Sequence, residues 1–171
     1  MITSTEASAR LAATAAGIGA LISDLSADQA RWRPDADSWS ALEVICHLVD
    51  EEREDFRQRI DLTLHRPDAP FPPIAPQKWV TERGYNTRDL REMAAQFQAE
   101  RVQSLAWLAT LADADWTRAR SRPNSPEMHA GDFLASWVAH DLLHLRQLIE
   151  LRYALARNAS SPYSVDYAGE W

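Results

Sequence analysis

An all-α four-helix bundle is the fold class that this sequence predicts, and three observations predict it. Four long stretches repeat apolar residues at steps of three and four, the spacing that gathers them on one face of an α-helix. Three of the early helix starts carry the Ser/Thr-x-x-Glu/Gln signature of a capping box. No stretch alternates apolar and polar residues as half-buried strands do, so no strand pattern competes. A Pro-rich segment near the middle makes a long crossover between the second and third helices. The 171 residues suit one domain, 1–171, long enough to bury a sizeable core without staples.

The first helix starts at the capping box Thr3-Ser-Thr-Glu6 and carries Leu11, Ala15, Ile18, Ile22 and Leu25 on one face. Gly17 and Gly19 weaken it and let a neighbouring helix come close. Ser26-Ala-Asp-Gln29 repeats the cap pattern over a short turn closed by Pro34, and Trp32 and Trp39 bracket a polar loop as end-closers of the core. Ser40-Ala-Leu-Glu43 opens the second helix, with Trp39 and Val44 placed as a hydrophobic staple. Val44, Ile45, Leu48 and Phe56 form its apolar face, and the run Asp50-Glu51-Glu52-Arg53-Glu54-Asp55 reads as a solvated one.

From about His65 to Tyr85 the prolines of Arg66-Pro-Asp-Ala-Pro-Phe-Pro-Pro-Ile-Ala-Pro76 exclude helix. The interleaved Phe71, Ile74 and Trp79 favour a cover that packs, over or beside the mouth of a site. A third helix, capped by Asn86 or Thr87, runs through Leu90, Ala94, Phe97, Leu105 and Leu108 to about Leu111. Arg101 interrupts that stripe, so it pairs with a carboxylate or carbonyls at the bundle's centre or edge. Residues 112–130, with Pro123, Asn124 and Pro126, form a polar connection. The last helix spans roughly Gly131 to Arg157, and the tail Tyr163 to Trp171 is too aromatic for plain disorder. Leu11, Ile18, Leu25, Leu48, Phe97, Leu105, Trp137 and Leu148 are expected in one shared core.

Composition excludes several function classes. A net charge of -7 with scattered basic residues argues against nucleic acid, which is bound through clustered Lys and Arg. One cysteine, Cys46, excludes an internal disulfide and reads as a small buried core residue. With no basic start followed by an apolar segment and no run of about 18 apolar residues, neither secretion nor a membrane is expected, and the location is cytoplasmic.

The chemistry-bearing stretch is Trp137-Val-Ala-His140-Asp-Leu-Leu-His144-Leu-Arg-Gln147. His140 and His144, four residues apart, point the same way from a helix face that Phe133, Trp137, Leu148 and Leu151 mark for burial. Such a pair reads either as two core histidines hydrogen-bonded to neighbours or as two metal ligands, and a third ligand elsewhere favours the metal. His47, among the apolar positions of the second helix, is the candidate. Asp50 and Glu51, three and four residues further on, are placed to act as outer partners or an extra ligand. His65 and His129 read as surface or cap residues.

These pieces together, Trp39-Ser40 ahead of His47-Leu48-Val49-Asp50 and the His140 to Gln147 stretch, resemble the DinB-like family (the DinB/YfiT superfamily) over most of the chain. The resemblance implies an unusual bundle with a long crossover between helices two and three, a metal held by three histidines near one end, and often a homodimer. Position by position, the metal ligands carry over to His47, His140 and His144. Three imidazoles leave a position open for water or substrate, and Zn, Ni, Fe or Mn all accept them. Family members with an assigned activity are largely metal-dependent enzymes using low-molecular-weight thiols such as mycothiol, bacillithiol or glutathione. The expectation is a metal-dependent thiol S-transferase acting on an electrophilic small molecule. The alternatives are a non-catalytic metal- or small-molecule-binding stress protein, or a metal-assisted hydrolase with Glu51 as base.

Overall fold

The computed structural model describes residues 2–122 and 125–169, without the side chains of 121, 122, 125 and 126. Pro123, Asn124 and Trp171 lie outside that range. Local cap chemistry sets the helix starts. At α1 (Ser4–Ile22), Thr3 Oγ1 accepts from the Glu6 N–H at 3.1 Å while Glu6 Oε2 accepts from the Thr3 N–H at 3.0 Å. The same reciprocal pair made by Ser26 and Gln29 opens the short α2 (Ala27–Arg31), and Ser40 and Glu43 open α3 (Ala41–Glu54). The remaining helices are α4 (Phe56–His65), α5 (Pro76–Glu82), α6 (Leu90–Ala109) and α7 (Ala130–Ala159).

Four departures from the sequence expectation have local causes. The second helix is broken at Asp55, whose φ of -122° and ψ of -88° separate α3 from α4, and Asp55 pairs with Arg59 one turn on. The stretch expected to exclude helix contains α5, because Pro76 sits at a first-turn position where its missing N–H costs nothing. Asp89, not Asn86 or Thr87, caps α6: its Oδ1 accepts from the Glu92 N–H at 2.9 Å. Asn86 is engaged with Ser40 and the Arg31 carbonyl. Finally, the polar connection holds an antiparallel hairpin, β1 (Ala119–Arg122) and β2 (Ser125–His129), with an irregularity between Arg120 and Arg122.

The bundle comprises α1, the α3–α4 pair, α6 and α7. Close approach at Gly17 and Gly19 is real, since a methyl group there would meet Leu145 of α7 at 3.3 Å and Gln98 of α6 at 3.4 Å. The core is not one cluster but two. Ile18, Leu48, Phe97 and Leu148 belong to one, with Leu25 packed at its edge; Leu11 and Trp137 belong to the other, with Leu105 at its edge.

A fully buried charged cluster is threaded among these apolar residues. Arg101 donates from Nε and Nη2 to Glu52 Oε1 at 2.9 and 2.6 Å, and from Nη1 and Nη2 to the Asp141 carboxylate at 2.6 and 3.0 Å. It also reaches the Leu11 carbonyl at 2.6 Å, while Ser104 and the Trp137 indole donate to Glu52 and Thr14 donates to Asp141. One guanidinium on α6 thus ties together α1, α3 and α7. The acidic run is therefore not a solvated face: Asp50, Glu51, Glu52 and Asp55 are all buried.

Truncating Phe97 or Trp137 to Ala is expected to cost about 3 to 5 kcal/mol each. Arg101 lies 5.1 Å from the Phe97 ring and 5.9 Å from that of Trp137, so the double variant should depart from additivity. Urea unfolding of both singles and the double checks this, and additivity within about 0.3 kcal/mol would show the two clusters to be independent.

The tail forms a short 3-10 turn at Asp166–Ala168, and Tyr163 and Tyr167 are 82% and 104% exposed there. No described helix is long and apolar enough to cross a membrane.

Candidate metal centre

His47 stands on α3, seven residues after its cap, and is almost fully buried; His140 and His144 stand one turn apart on α7 and are half-buried. Their Nε2 atoms converge. His140 Nε2 lies 3.2 Å from His47 Nε2 and 3.1 Å from His144 Nε2. A tetrahedral centre with metal–nitrogen bonds of about 2.0–2.1 Å would space its nitrogens by about 3.3 Å.

The protonation states suit a cation. His144 Nδ1 donates to Gln147 Oε1 at 2.8 Å, which leaves its Nε2 with a free lone pair. Burial, with repulsion from His144 and His140, lowers the His47 pKa to about 2; burial, with His144 and Arg101, lowers that of His140 to about 3. Burial also lowers the pKa of His144, against the pull of Gln147 and Asp141. All three rings are neutral at pH 7, the form that ligates metal. Three nitrogens aimed at one point satisfy few hydrogen bonds among themselves, and the buried Nδ1 atoms of His47 and His140 have no hydrogen-bond partner. Among the described residues, these three histidines form the group able to hold a metal ion.

Glu51 adds a carboxylate. Its Oε1 lies 3.6 Å from His47 Nδ1, too long for a hydrogen bond, and burial raises its pKa to about 7 against the influence of Arg59. Asp50 turns away instead, to Arg83 at 2.6 Å and to the Tyr85 hydroxyl. Cys46, on the same helix but rotated from His47, is buried against the Tyr85 carbonyl, and its thiol pKa is raised by burial to about 12.

A cavity of about 750 Å³ opens over the histidines, lined also by Trp39, Phe56, Ile74, Pro76, Gln77 and Leu151. Trp39, expected to close one end of the core and to staple the second helix against Val44, also borders the site. Its ring meets that of His47 edge-on at 5.1 Å and stacks on His144 at 6.4 Å, while Phe56 meets His140 at 5.2 Å. Its placement immediately before the Ser40 cap, a little over two turns ahead of His47, was the available signal. Phe71 packs edge-on against Phe133 at 5.6 Å. His65 and His129 stay apart from the centre: exposed His65 pairs with Asp61, and exposed His129 caps α7 and pairs with Asp132.

Fold and site together define a helical bundle with three convergent histidines on the floor of a cavity. The sequence profile of the DinB superfamily matches residues 10–148, and the chain belongs to that superfamily. Its fold is similar to that of YfiT from Bacillus subtilis, described as a probable metal-dependent hydrolase with an unusual four-helix bundle topology. The TM-score is 0.79 at 19% identity, over 91% of each chain. Among curated proteins none matches.

Proposed function

We propose that the protein is a metal-dependent enzyme acting on small electrophilic molecules, with one divalent cation held by His47, His140 and His144. The observation that carries this reading is the convergence of three neutral imidazole nitrogens, 3.1 and 3.2 Å apart, on the floor of an open cavity. When bound, the cation supplies Lewis acidity and lowers the pKa of a water or thiol that it coordinates. The chain's own residues do the rest. Gln147 fixes the tautomer of His144, Glu51 takes up the nucleophile's proton, and the Trp39, Phe56 and Ile74 wall shields the reacting groups from water.

Hydrolysis is the reaction these residues support best, because Glu51 places a carboxylate base beside His47 in the cavity. Transfer of a low-molecular-weight thiol is the second reading, favoured by a cavity large enough for a cosubstrate. Cys46 does not line that cavity, so the thiol would come from solution. A homodimer belongs to the same reading, supported by the exposed Leu142, Leu143 and Ile149 on α7.

The test is turnover of chromogenic esters and lactones, and of chlorodinitrobenzene with added thiols, by protein reconstituted with Zn, Ni, Fe or Mn. Activity should require metal, and Glu51→Gln should lower kcat about 10²- to 10⁴-fold with metal retained. Stoichiometric metal without turnover overturns the enzymatic reading and leaves a metal-binding protein. Limited proteolysis should show protection of residues 66–84 by metal plus substrate, since Ile74, Pro76 and Gln77 line the cavity; identical cleavage in both states counts against a cover.

A further inference from the structure

The cavity over the histidines has an acidic wall. Among the described residues that line it there is no Lys or Arg, whereas Asp37, Glu51, Asp55 and Glu150 all do. Asp55 is tied to Arg59, and Glu150 lies 3.3 Å from Arg146 on the outer surface. Glu51 is 4% exposed and its Oε1 has no hydrogen-bond partner, so a buried acceptor stands ready inside the cavity. Asp37 is exposed at its edge. The remaining wall is largely apolar, built from Trp39, Phe56, Ile74 and Leu151.

Proteins that take carboxylate- or phosphate-bearing molecules hold those groups with Arg forks or Lys ammonium groups. Here an anionic substituent held beyond reach of the metal would find no Arg or Lys in the lining to pair with, and would face carboxylates instead. A hydroxyl, amide N–H or ammonium group would find the opposite, the Glu51 Oε1 that has no hydrogen-bond partner.

We propose, resting on the metal-centre reading above, that this site selects uncharged or cationic small molecules that donate a hydrogen bond to Glu51 and lay an apolar body on the Trp39 and Ile74 wall. Molecules carrying a carboxylate or phosphate are excluded. Asp37 and Glu150 determine that specificity at the mouth, and Glu51 determines it at the floor.

Cobalt(II)-loaded protein titrated with matched thiols tests the filter through the thiolate-to-cobalt charge-transfer band. Cysteamine and 2-mercaptoethanol should develop the band at concentrations about tenfold or more below those needed for 3-mercaptopropionate, with mercaptosuccinate weaker still. Reversing the mouth charges in an Asp37→Lys/Glu150→Lys double variant should close most of that gap. Equal or tighter binding of the anionic thiols by the unaltered protein overturns the proposal. Should cobalt fail to bind, the metal reading falls separately, and NMR of the metal-free protein decides the filter. Benzylamine and benzyl alcohol should then shift the Trp39 indole N–H signal while benzoate does not; benzoate acting at equal or lower concentration overturns it.

Discussion

Replacing Arg101 by Met is expected to cost about 3 to 5 kcal/mol of stability at neutral pH, the usual consequence of removing one partner from a buried ionic cluster. Glu52 and Asp141 are each 1% exposed, and without the guanidinium two carboxylates would be left facing each other. Burial already raises the Glu52 pKa against the pull of Arg101, and the substitution removes that pull. A carboxyl whose folded pKa lies above its unfolded value binds more protons when folded, so its presence favours the folded state more as pH falls. The deficit of the Met variant should therefore be largest near pH 7 to 8 and shrink towards pH 5. Urea unfolding at several pH values measures it, and a deficit below about 1 kcal/mol at pH 7 would show that the cluster does not hold the helices together. Replacing Glu52, Arg101 and Asp141 together by apolar residues of similar size should cost much less than Arg101→Met alone.

His47→Ala, His140→Ala and His144→Ala are each expected to abolish stoichiometric divalent metal. Loss of an outer partner alone costs about 10- to 100-fold in affinity, and loss of a ligand costs more. His65→Ala and His129→Ala should leave the metal in place, since both side chains are exposed and bound elsewhere. The fold should survive all five, because the two apolar clusters do not include these histidines. Without metal, the lowered pKa values of the three rings make them proton-poor in the folded state. The unfolded chain then binds more protons below about pH 6.5, so stability falls as pH drops from there towards 3. His47→Ala should blunt that acid sensitivity. Metal analysis after repletion, with acid unfolding of the metal-free protein, checks both; equal occupancy in all five variants sinks the site.

What the sequence could determine follows from the range of the interactions involved. Thr3, Ser26 and Ser40 cap helices through residues three positions on, and His140 and His144 share a face because they are four apart. Local spacing contains all of that information, which is why those three helix starts and two of the three candidate ligands were legible. His47 was legible as a partner only through its place in an apolar stripe and through the family resemblance. The expected position of Arg101 against carboxylates was also correct, since a charge interrupting a core face must be paired somewhere.

Tertiary structure alone decided which carboxylates. Glu52 meets Arg101 across 49 positions and Trp137 across 85, and Thr14 meets Asp141 across 127. No local pattern distinguishes such an acidic run from a solvated one. The break at Asp55 has no Gly or Pro to announce it, and the hairpin strands are too short and polar to show alternation. Trp39 joined the site because α3 and α7 bring His47 and His144 together beside it. Caps and helix faces are set by chain geometry over one turn, whereas buried charge, core division and cavity walls depend on which distant helix arrives opposite, and only packing fixes that.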